Sequence, residues 1–250
     1  MKLYDYQEKL LKDYKEKSKV AVKHCRQIGV TTTLILHLAD EIKSGNNKKI
    51  YIIKPKLDYS IELLNLVKIK LDNLDELKLE IIEIKQTLIR LSNNNEILII
   101  PVGTINYEDK VDLVIIDDAA FIDGLSGILT KFVGVTNKII LTSSNNPRAI
   151  NNDFNQIIKN SSGYTKRIID WTLNPNHNID WYNKTKKLYD DDILFSQIIE
   201  LKDTPNINKL KVNNINVRLD NETLLKLTKK SIQYNLTLSE CIRKLIRETI

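Results

Sequence analysis

Two adjacent carboxylates at the end of an apolar run are the residues best suited to chemistry. The stretch 111–123 reads VDLVIIDDAAFID, and its apolar part stops at Asp117 and Asp118. Such a run is typical of a central parallel strand that is buried on both faces, and ligands bind at the carboxyl ends of such strands. In a Mg²⁺-nucleotide site, one acid can hold the metal while the other orients a water. The alternative is a buried strand that ends in a polar turn.

A short loop with one glycine forms a second candidate site. Residues 20–22 predict a strand that runs into CRQIGVTTT at residues 25–33, and a helix begins at Thr31 or Thr32. A helix that starts directly after a loop places free backbone N–H groups and the positive end of its dipole there. The order of strand, loop and helix therefore predicts phosphate binding.

Both candidate sites lie in a chain that alternates between strands and helices, which predicts a mostly parallel sheet with helices on both faces. The alternation pauses at residues 79–101, where two or three β-segments and a hairpin at Asn93–Asn95 are expected. The other predicted elements are helices near residues 4–16, 59–71, 125–133, 152–160 and 180–189, and strands at 49–53, 138–142 and 164–169.

The composition is that of a soluble globular protein, with 42% hydrophobic and 28% charged residues. No apolar run approaches the roughly 18 to 20 residues of a membrane span, so we expect no membrane contact. Cys25 and Cys241 are far apart and belong to no Cys/His cluster. We therefore expect a reducing, cytoplasmic setting without a disulfide framework.

The positive charge is concentrated at the end of the chain. Residues 206–250 hold nine Lys/Arg and four Asp/Glu, a net of +5 out of +6 for the whole chain. This asymmetry predicts an anionic partner, and nucleic acid is the leading candidate. The alternative is a basic face that is simply solvated.

Several motifs in residues 4–201 together resemble the ATPase domain of phage terminase large subunits. CRQIGVTTT resembles the Walker A variant of that family, with its early arginine, and VIIDDAAFI resembles its Walker B motif. IILTSSNNP is similar to the coupling motif after the next strand, and Tyr6-Gln7 is similar to the region of the glutamine that contacts adenine. The segment SGYTKRIIDWTLNPN, with FSQIIEL further on, is similar to the stretch that leads out of the ATPase domain.

The resemblance implies a RecA-like P-loop NTPase sheet with ATP and Mg²⁺ as cofactors. It also implies viral portal or packaging proteins as partners, and the host cell cytoplasm as the location. By position, it assigns catalysis to Asp117 and Asp118, metal binding to Thr31 and Asp117, and coupling to Ser143 and Ser144. It assigns nucleotide binding to Gln7, Arg26, Gln27, Gly29, Thr31 and Thr32.

The departures from the family pattern put ATP turnover in doubt. Val30 stands where the P-loop lysine is expected, and Asp118 stands where the family has a glutamate. The family's nuclease domain would begin near residue 202, where a different pattern follows. Loss of the lysine's charge-assisted contact removes on the order of 1.5 to 3 kcal/mol. Asp118 is one methylene shorter than a glutamate, and a displacement of its carboxylate by about 1 Å can cost roughly 100-fold in rate. Lys23 and Arg26 are the candidate substitutes for the missing cation.

The end of the chain, residues 213–250, resembles a ribbon-helix-helix domain of the CopG type. In that family two chains pair their strands into a ribbon that enters the major groove of duplex DNA, which implies a homodimer. Strand alternation places Asn214, Asn216 and Arg218 on the outer face, where they suit base edges. The start of the second helix, at Thr237 to Ser239, suits a backbone phosphate. The alternative is a dimerisation module with an exposed polar strand.

The sequence therefore predicts two domains. Residues 1–203 form a terminase-like α/β ATPase domain, 204–212 a linker, and 213–250 a small ribbon-helix-helix domain for DNA binding and dimerisation. The leading hypothesis is a viral-type, double-stranded-DNA-binding protein whose ATPase domain binds nucleotide weakly or has lost turnover. The alternatives are an active ATP-driven packaging motor with its nuclease supplied elsewhere, and a ribbon-helix-helix transcriptional regulator.

Overall fold

A computed structural model of the chain describes residues 3–203, apart from 73–79, 108–109, 148, 150–151 and 161–162. The chain divides into two compact units, Met1–Ile207 and Asn208–Ile250. The predicted ribbon-helix-helix domain lies outside the described residues. The same holds for its predicted DNA-binding residues, which are Asn214, Asn216, Arg218, Thr237 and Ser239.

The described part of the first unit is built on one eight-stranded sheet. Its strands are β1 (Lys19–His24), β2 (Lys49–Lys54), β3 (Ile81–Lys85), β4 (Leu88–Leu91), β5 (Glu96–Pro101), β6 (Leu113–Asp117), β7 (Ile139–Ser143) and β8 (Thr165–Ile169). The spatial order is β3-β4-β5-β2-β6-β7-β1-β8. All neighbouring strands along the spatial series β5-β2-β6-β7-β1-β8 are parallel, whereas the pairs β3–β4 and β4–β5 are antiparallel. The mostly parallel sheet and the local hairpin are as predicted.

Helices pack on both faces of this sheet. The described α-helices are α1 (Asp5–Glu16), α2 (Val30–Lys43), α3 (Leu57–Asp72), α4 (Leu125–Lys131), α5 (Asp153–Lys159), α6 (Ile179–Lys186) and α7 (Asp192–Ile198), of which α6 and α7 share a separate apolar cluster. Ile115 belongs to a buried cluster with residues of α1, α2 and α3, whereas Ile116 belongs to a second cluster with Leu125 of α4 and Phe154 of α5. Successive residues of a strand point to opposite faces, so a strand covered on both sides is apolar throughout. This explains the unbroken apolar run before Asp117.

Helix α7, which begins at Asp192, is not among the elements predicted from the sequence. The structure shows that Asp191 caps the start of α7. Its Oδ1 accepts hydrogen bonds from the backbone N–H groups of Ile193 at 2.8 Å and Leu194 at 3.1 Å. Acidic side chains stabilise the amino end of a helix because they satisfy its free N–H groups and its dipole. The preceding helix, α6, ends at Lys186, earlier than predicted.

The strand order brings four strand ends together. β7 lies between β1 and β6, and β2 lies on the other side of β6. Because these four strands are parallel, the segments that follow them lie along one edge of the sheet. Among the described residues, no helix is both long and apolar enough to cross a membrane.

Candidate functional site

A cleft of about 560 Å³ opens at the carboxyl ends of β1, β2, β6 and β7. The cleft is lined by six of the predicted site residues. They come from the loop after β1, from the pair of carboxylates at the end of β6 and from the segment after β7. These are Arg26, Gln27, Thr31, Asp117, Asp118 and Ser144. Gln7, Gly29, Thr32 and Ser143 are not among the side chains that line this cleft.

The loop after β1 is shaped by its glycine. Gly29 precedes α2 with a φ of +79°, and a Cβ at this position would lie 2.8 Å from Gln7 Nε2. Any other residue would be strained in this backbone conformation and would also displace the glutamine. No side chain caps the start of α2. The first N–H groups of a helix are natural anion donors, so this end of α2 suits a phosphate.

Side chains of helix α1 form hydrogen bonds with the loop after β1. Tyr6 Oη donates a hydrogen bond to the Ile28 carbonyl at 2.6 Å, and Gln7 Nε2 donates to the Gly29 carbonyl at 3.5 Å. Gln7 Oε1 accepts from the backbone N–H of Tyr4 at 3.1 Å, so both ends of this amide are engaged. The structure thus places Gln7 against the loop, and its predicted contact with adenine stays a prediction.

The two carboxylates contact a lysine that lies outside the motifs identified in the sequence. Lys54, the last residue of β2, has its Nζ 2.9 Å from Asp117 Oδ2 and also pairs with Asp118 Oδ2. The side chains of Lys54 and Asp117 are each 9% exposed, whereas that of Asp118 is 33% exposed. Asp117 Oδ1 accepts hydrogen bonds from Thr142 Oγ1 at 2.6 Å and from the Asp118 backbone N–H at 3.1 Å. Each oxygen of Asp117 is therefore engaged.

The electrostatics of this cluster keep Lys54 and Asp117 charged. Burial alone would lower the pKa of Lys54, but the charges of Asp117 and Asp118 outweigh it and raise that pKa. Burial would raise the pKa of Asp117, but the Lys54 charge and the hydrogen bond from Thr142 hold that pKa below its usual value. Lys54 and Asp117 are thus an ion pair at neutral pH.

The missing P-loop lysine is not restored at its own position or by Lys23. Val30 is 2% exposed and belongs to the apolar core. Lys23 does not line the cleft, because its Nζ bonds Asp203 Oδ1 at 2.8 Å. Arg26, the other candidate substitute, is exposed and lines the cleft. The cations that line this cleft among the described residues are therefore Arg26 and Lys54.

A signal for Lys54 was present in the sequence. The run KIYII is followed by Lys54, much as VDLVII is followed by Asp117 and Asp118. In the parallel pair β2–β6, Ile53 lies opposite Ile116, so Lys54 comes next to Asp117. The order of strands in a sheet does not follow from their order in the chain, however. The proximity of Lys54 to Asp117 is therefore shown only by the fold.

The segment after β7 connects the carboxylates to the end of the described chain. Ser143 Oγ accepts a hydrogen bond from the Ala120 N–H at 3.1 Å, and Asn146 Nδ2 donates to the Ala120 carbonyl at 3.0 Å. Asn145 Nδ2 donates to the Gln197 carbonyl at 2.9 Å. Ser143 is therefore held against the turn that follows Asp118, while Ser144 faces the cleft. The coupling role of both serines stays a prediction.

The carboxylate that was expected to hold magnesium is already bonded within the protein. Within the described ranges, no group of three or more His, Cys, Asp or Glu side chains is placed to hold a metal ion. The expected magnesium ligands are Thr31 and Asp117, but the carboxylate of Asp117 already accepts from Lys54, Thr142 and a backbone N–H. Asp117 thus accepts three of the roughly four hydrogen bonds that a carboxylate can take, and a metal ion would compete for it with the Lys54 ammonium.

Comparison with known proteins identifies the fold. The sequence matches no protein-family profile and no curated protein sequence. The structure, in contrast, is similar to the large terminase ATPase domain of Thermus phage P74-26, with a TM-score of 0.62, 14% identity, and coverage of 78% of this chain and 92% of that one.

Two longer phage proteins match the same region. The large terminase of a thermophilic bacteriophage has a TM-score of 0.63 and 9% identity, over 80% of this chain and 53% of that one. The HK97 bacteriophage large terminase has a TM-score of 0.60 and 15% identity, over 79% and 50%. The match spans about half the length of these two proteins. Structures of the large terminase from the thermophilic bacteriophage in complex with ADP and with ATP-gamma-S are among those matched.

The first unit thus has the α/β, RecA-like fold of phage large terminase ATPase domains, as the motifs predicted. At identities of 15% or less, this likeness establishes the fold.

Proposed function

We propose that this chain is a terminase-like, viral-type protein that binds duplex DNA and holds a nucleotide without turning it over. The observation that carries the proposal is the cleft at the carboxyl edge of the sheet. There, Arg26, Gln27 and Thr31 of the loop face Asp117 and Asp118, on a fold shared with terminase ATPase domains. Nucleotides are the ligands that the large terminase of the thermophilic bacteriophage carries in its complexes.

The loop side of the cleft supports nucleotide binding. The uncapped start of α2 offers backbone N–H donors, and Gly29 lets the chain turn into that helix. Arg26 is exposed and can pair with phosphate oxygens through two parallel hydrogen bonds. We assign phosphate binding to these groups together with Gln27, Thr31 and Thr32.

The carboxylate side supports the loss of turnover. Asp118 is the residue that would orient the attacking water, but its carboxylate is paired with Lys54. Asp117 is engaged through both oxygens, and Val30 replaces the lysine that would contact the transferred phosphate. Transition-state stabilisation at such a site depends on charges held ready for the ligand, and here both carboxylates are already paired with Lys54.

The DNA-binding part of the proposal rests on the sequence of residues 213–250. Asn214, Asn216 and Arg218 would read base edges in the major groove, and Thr237 and Ser239 would contact the phosphate backbone. The chain would act as a homodimer through this segment, in the host cytoplasm, and its terminase-like domain would meet portal or packaging proteins. A transcriptional regulator would instead show a specific-to-nonspecific affinity ratio of about 10³ or more.

An active packaging motor is the second candidate, and the position of Arg26 in the cleft favours it. In that case Arg26 would supply the positive charge that Val30 lacks, and the nuclease would come from another chain. ATP hydrolysis separates the two candidates.

The test uses the full-length protein with ATP, with and without duplex DNA, beside an Asp117→Asn control. We expect no hydrolysis above the control, and retention of a fluorescent ATP analogue by the wild-type protein. DNA-stimulated hydrolysis that the Asp117→Asn variant lacks would establish the motor instead. Failure of the analogue to bind at any concentration would rule out the nucleotide site.

A further inference from the structure

Lys54 is placed between two carboxylates at the position where the fold would be expected to use a metal ion. Its Nζ lies 2.9 Å from Asp117 Oδ2 and also contacts Asp118 Oδ2. It comes from β2, the strand that pairs with β6, so its position is fixed by the register of the sheet. The ammonium is nearly buried, and it lines the same cleft as Arg26 and Thr31.

A divalent cation at Asp117 would lie beside this ammonium, and the repulsion between the two positive charges disfavours it. Magnesium requires oxygen ligands at about 2.0 to 2.1 Å in near-octahedral geometry. Asp117 Oδ2 already pairs with Lys54, and Oδ1 accepts from Thr142 at 2.6 Å and from a backbone N–H. The lysine has one positive charge instead of two, and three N–H groups that can be shared between carboxylates and a further oxygen.

We propose that the Lys54 ammonium takes the place of the divalent cation between Asp117 and Asp118, so that the cleft excludes magnesium and binds nucleotide phosphates without it. The choice of ligand rests on the function proposed above. The third N–H of the ammonium and the guanidinium of Arg26 would face the phosphates, and both groups line the cleft. The proposal gives Lys54 a role in binding as well as in stability.

Lys23 offers a matched comparison within the same sheet. Its side chain is 6% exposed, against 9% for that of Lys54, and it also forms an ion pair with an aspartate. Its partner, Asp203, is shared with Lys159, and Lys23 does not line the cleft. A buried strand lysine that has only a structural role is therefore available as a control.

The first experiment measures metal binding to the nucleotide-free, full-length protein. Mn²⁺ is titrated and its free fraction is followed by electron paramagnetic resonance. We expect no site in the wild-type protein up to about 1 mM Mn²⁺, and one site with at least about tenfold tighter binding in Lys54→Met. That site should disappear when Asp117→Asn is added, and Lys23→Met should create none.

A metal site in the wild-type protein that Asp117→Asn abolishes would overturn the proposal, and so would the lack of a site in folded Lys54→Met. Circular dichroism checks the fold of each variant. The wild-type titration decides the first of these outcomes without any substitution, so the proposal stays falsifiable if Lys54→Met does not fold.

The second experiment compares the affinity for a fluorescent ATP analogue in EDTA and in excess Mg²⁺. For the wild-type protein we expect a change of less than about twofold, and for Lys54→Met a gain of at least about tenfold on adding Mg²⁺. Wild-type affinity that falls tenfold or more in EDTA would overturn the proposal. If the analogue binds under no condition, the proposed nucleotide function fails, while the Mn²⁺ titration still decides the role of Lys54.

Discussion

The two sides of the cleft use their polar groups in opposite ways. On the loop side, Arg26 is exposed and the start of α2 has no side-chain cap, so these groups are available to a ligand. On the carboxylate side, Asp117 and Asp118 are bonded to Lys54, a residue of the neighbouring strand. The two sides therefore differ in what is left for a ligand, because the loop side keeps its donors available whereas both carboxylates are already paired within the protein.

The largest expected effect is on stability and lies on the carboxylate side. Asp117→Ala leaves the nearly buried Lys54 with only the more exposed Asp118 as its partner. Removing one member of a buried ion pair costs about 3 to 5 kcal/mol, so we expect a loss of unfolding free energy near the lower end of this range. Urea unfolding followed by circular dichroism measures it. Asp118→Ala, at a side chain that is 33% exposed, should cost clearly less, and equal losses would contradict the account.

The same pair predicts how stability depends on pH. The pKa of Asp117 is lowered in the folded protein, mainly because the charge of Lys54 outweighs burial. Its contribution is therefore complete above the unfolded pKa of about 3.9, and it is lost as the pH falls through the lower folded value. The stability difference between wild type and Asp117→Ala should be constant from about pH 5 to 8 and should shrink below about pH 4. If this stability difference changed between pH 6 and 8, a titratable group other than Asp117 would be responsible.

A smaller effect is expected at the glycine of the loop. Gly29→Ala forces a φ of +79° on alanine and places its Cβ 2.8 Å from Gln7 Nε2. We expect a loss of about 1 to 3 kcal/mol in unfolding free energy, together with weaker binding of the ATP analogue. Gly127→Ala is the control, because this glycine lies within α4 and its added Cβ would meet no atom within 4 Å. The control should be neutral or stabilising by up to about 1 kcal/mol.

The smallest effect on stability, with a clear effect on binding, is expected from Arg26→Ala. Arg26 is exposed, so its removal should change the unfolding free energy by less than about 0.5 kcal/mol. Loss of a charge-assisted contact with phosphate should weaken binding of the ATP analogue by about tenfold. Lys184→Ala removes an exposed cation from α6, outside the cleft, and should leave affinity unchanged. Similar losses in both variants would show that Arg26 acts only through the net charge of the protein.

The sequence predicted the elements of the first domain well, because their signals are local. The run before Asp117 is apolar throughout since both faces of β6 are covered, and this pattern is visible without a structure. The signals that were overlooked were also local. Asp191 is a helix cap placed directly before α7, and Lys54 ends an apolar strand as Asp117 does.

The order and register of the strands could not be predicted from the sequence. Lys54 and Asp117 are 63 positions apart, and they meet because β2 pairs with β6. Lys23 is at the same kind of strand position, but the fold directs it to Asp203. Which lysine faces the carboxylates is therefore decided by strand order and register, and residue types and spacing do not give these.

The fate of bound ATP tests the central claim most directly. The full-length protein is incubated with radiolabelled ATP and duplex DNA in the presence of EDTA and, separately, of Mg²⁺. The protein is then captured on a filter, and the retained nucleotide is identified by thin-layer chromatography. We predict that intact ATP is retained under both conditions and that Arg26→Ala retains less of it. Retention that requires Mg²⁺, or ADP as the recovered species, would contradict the account of a cleft whose carboxylates are paired with Lys54.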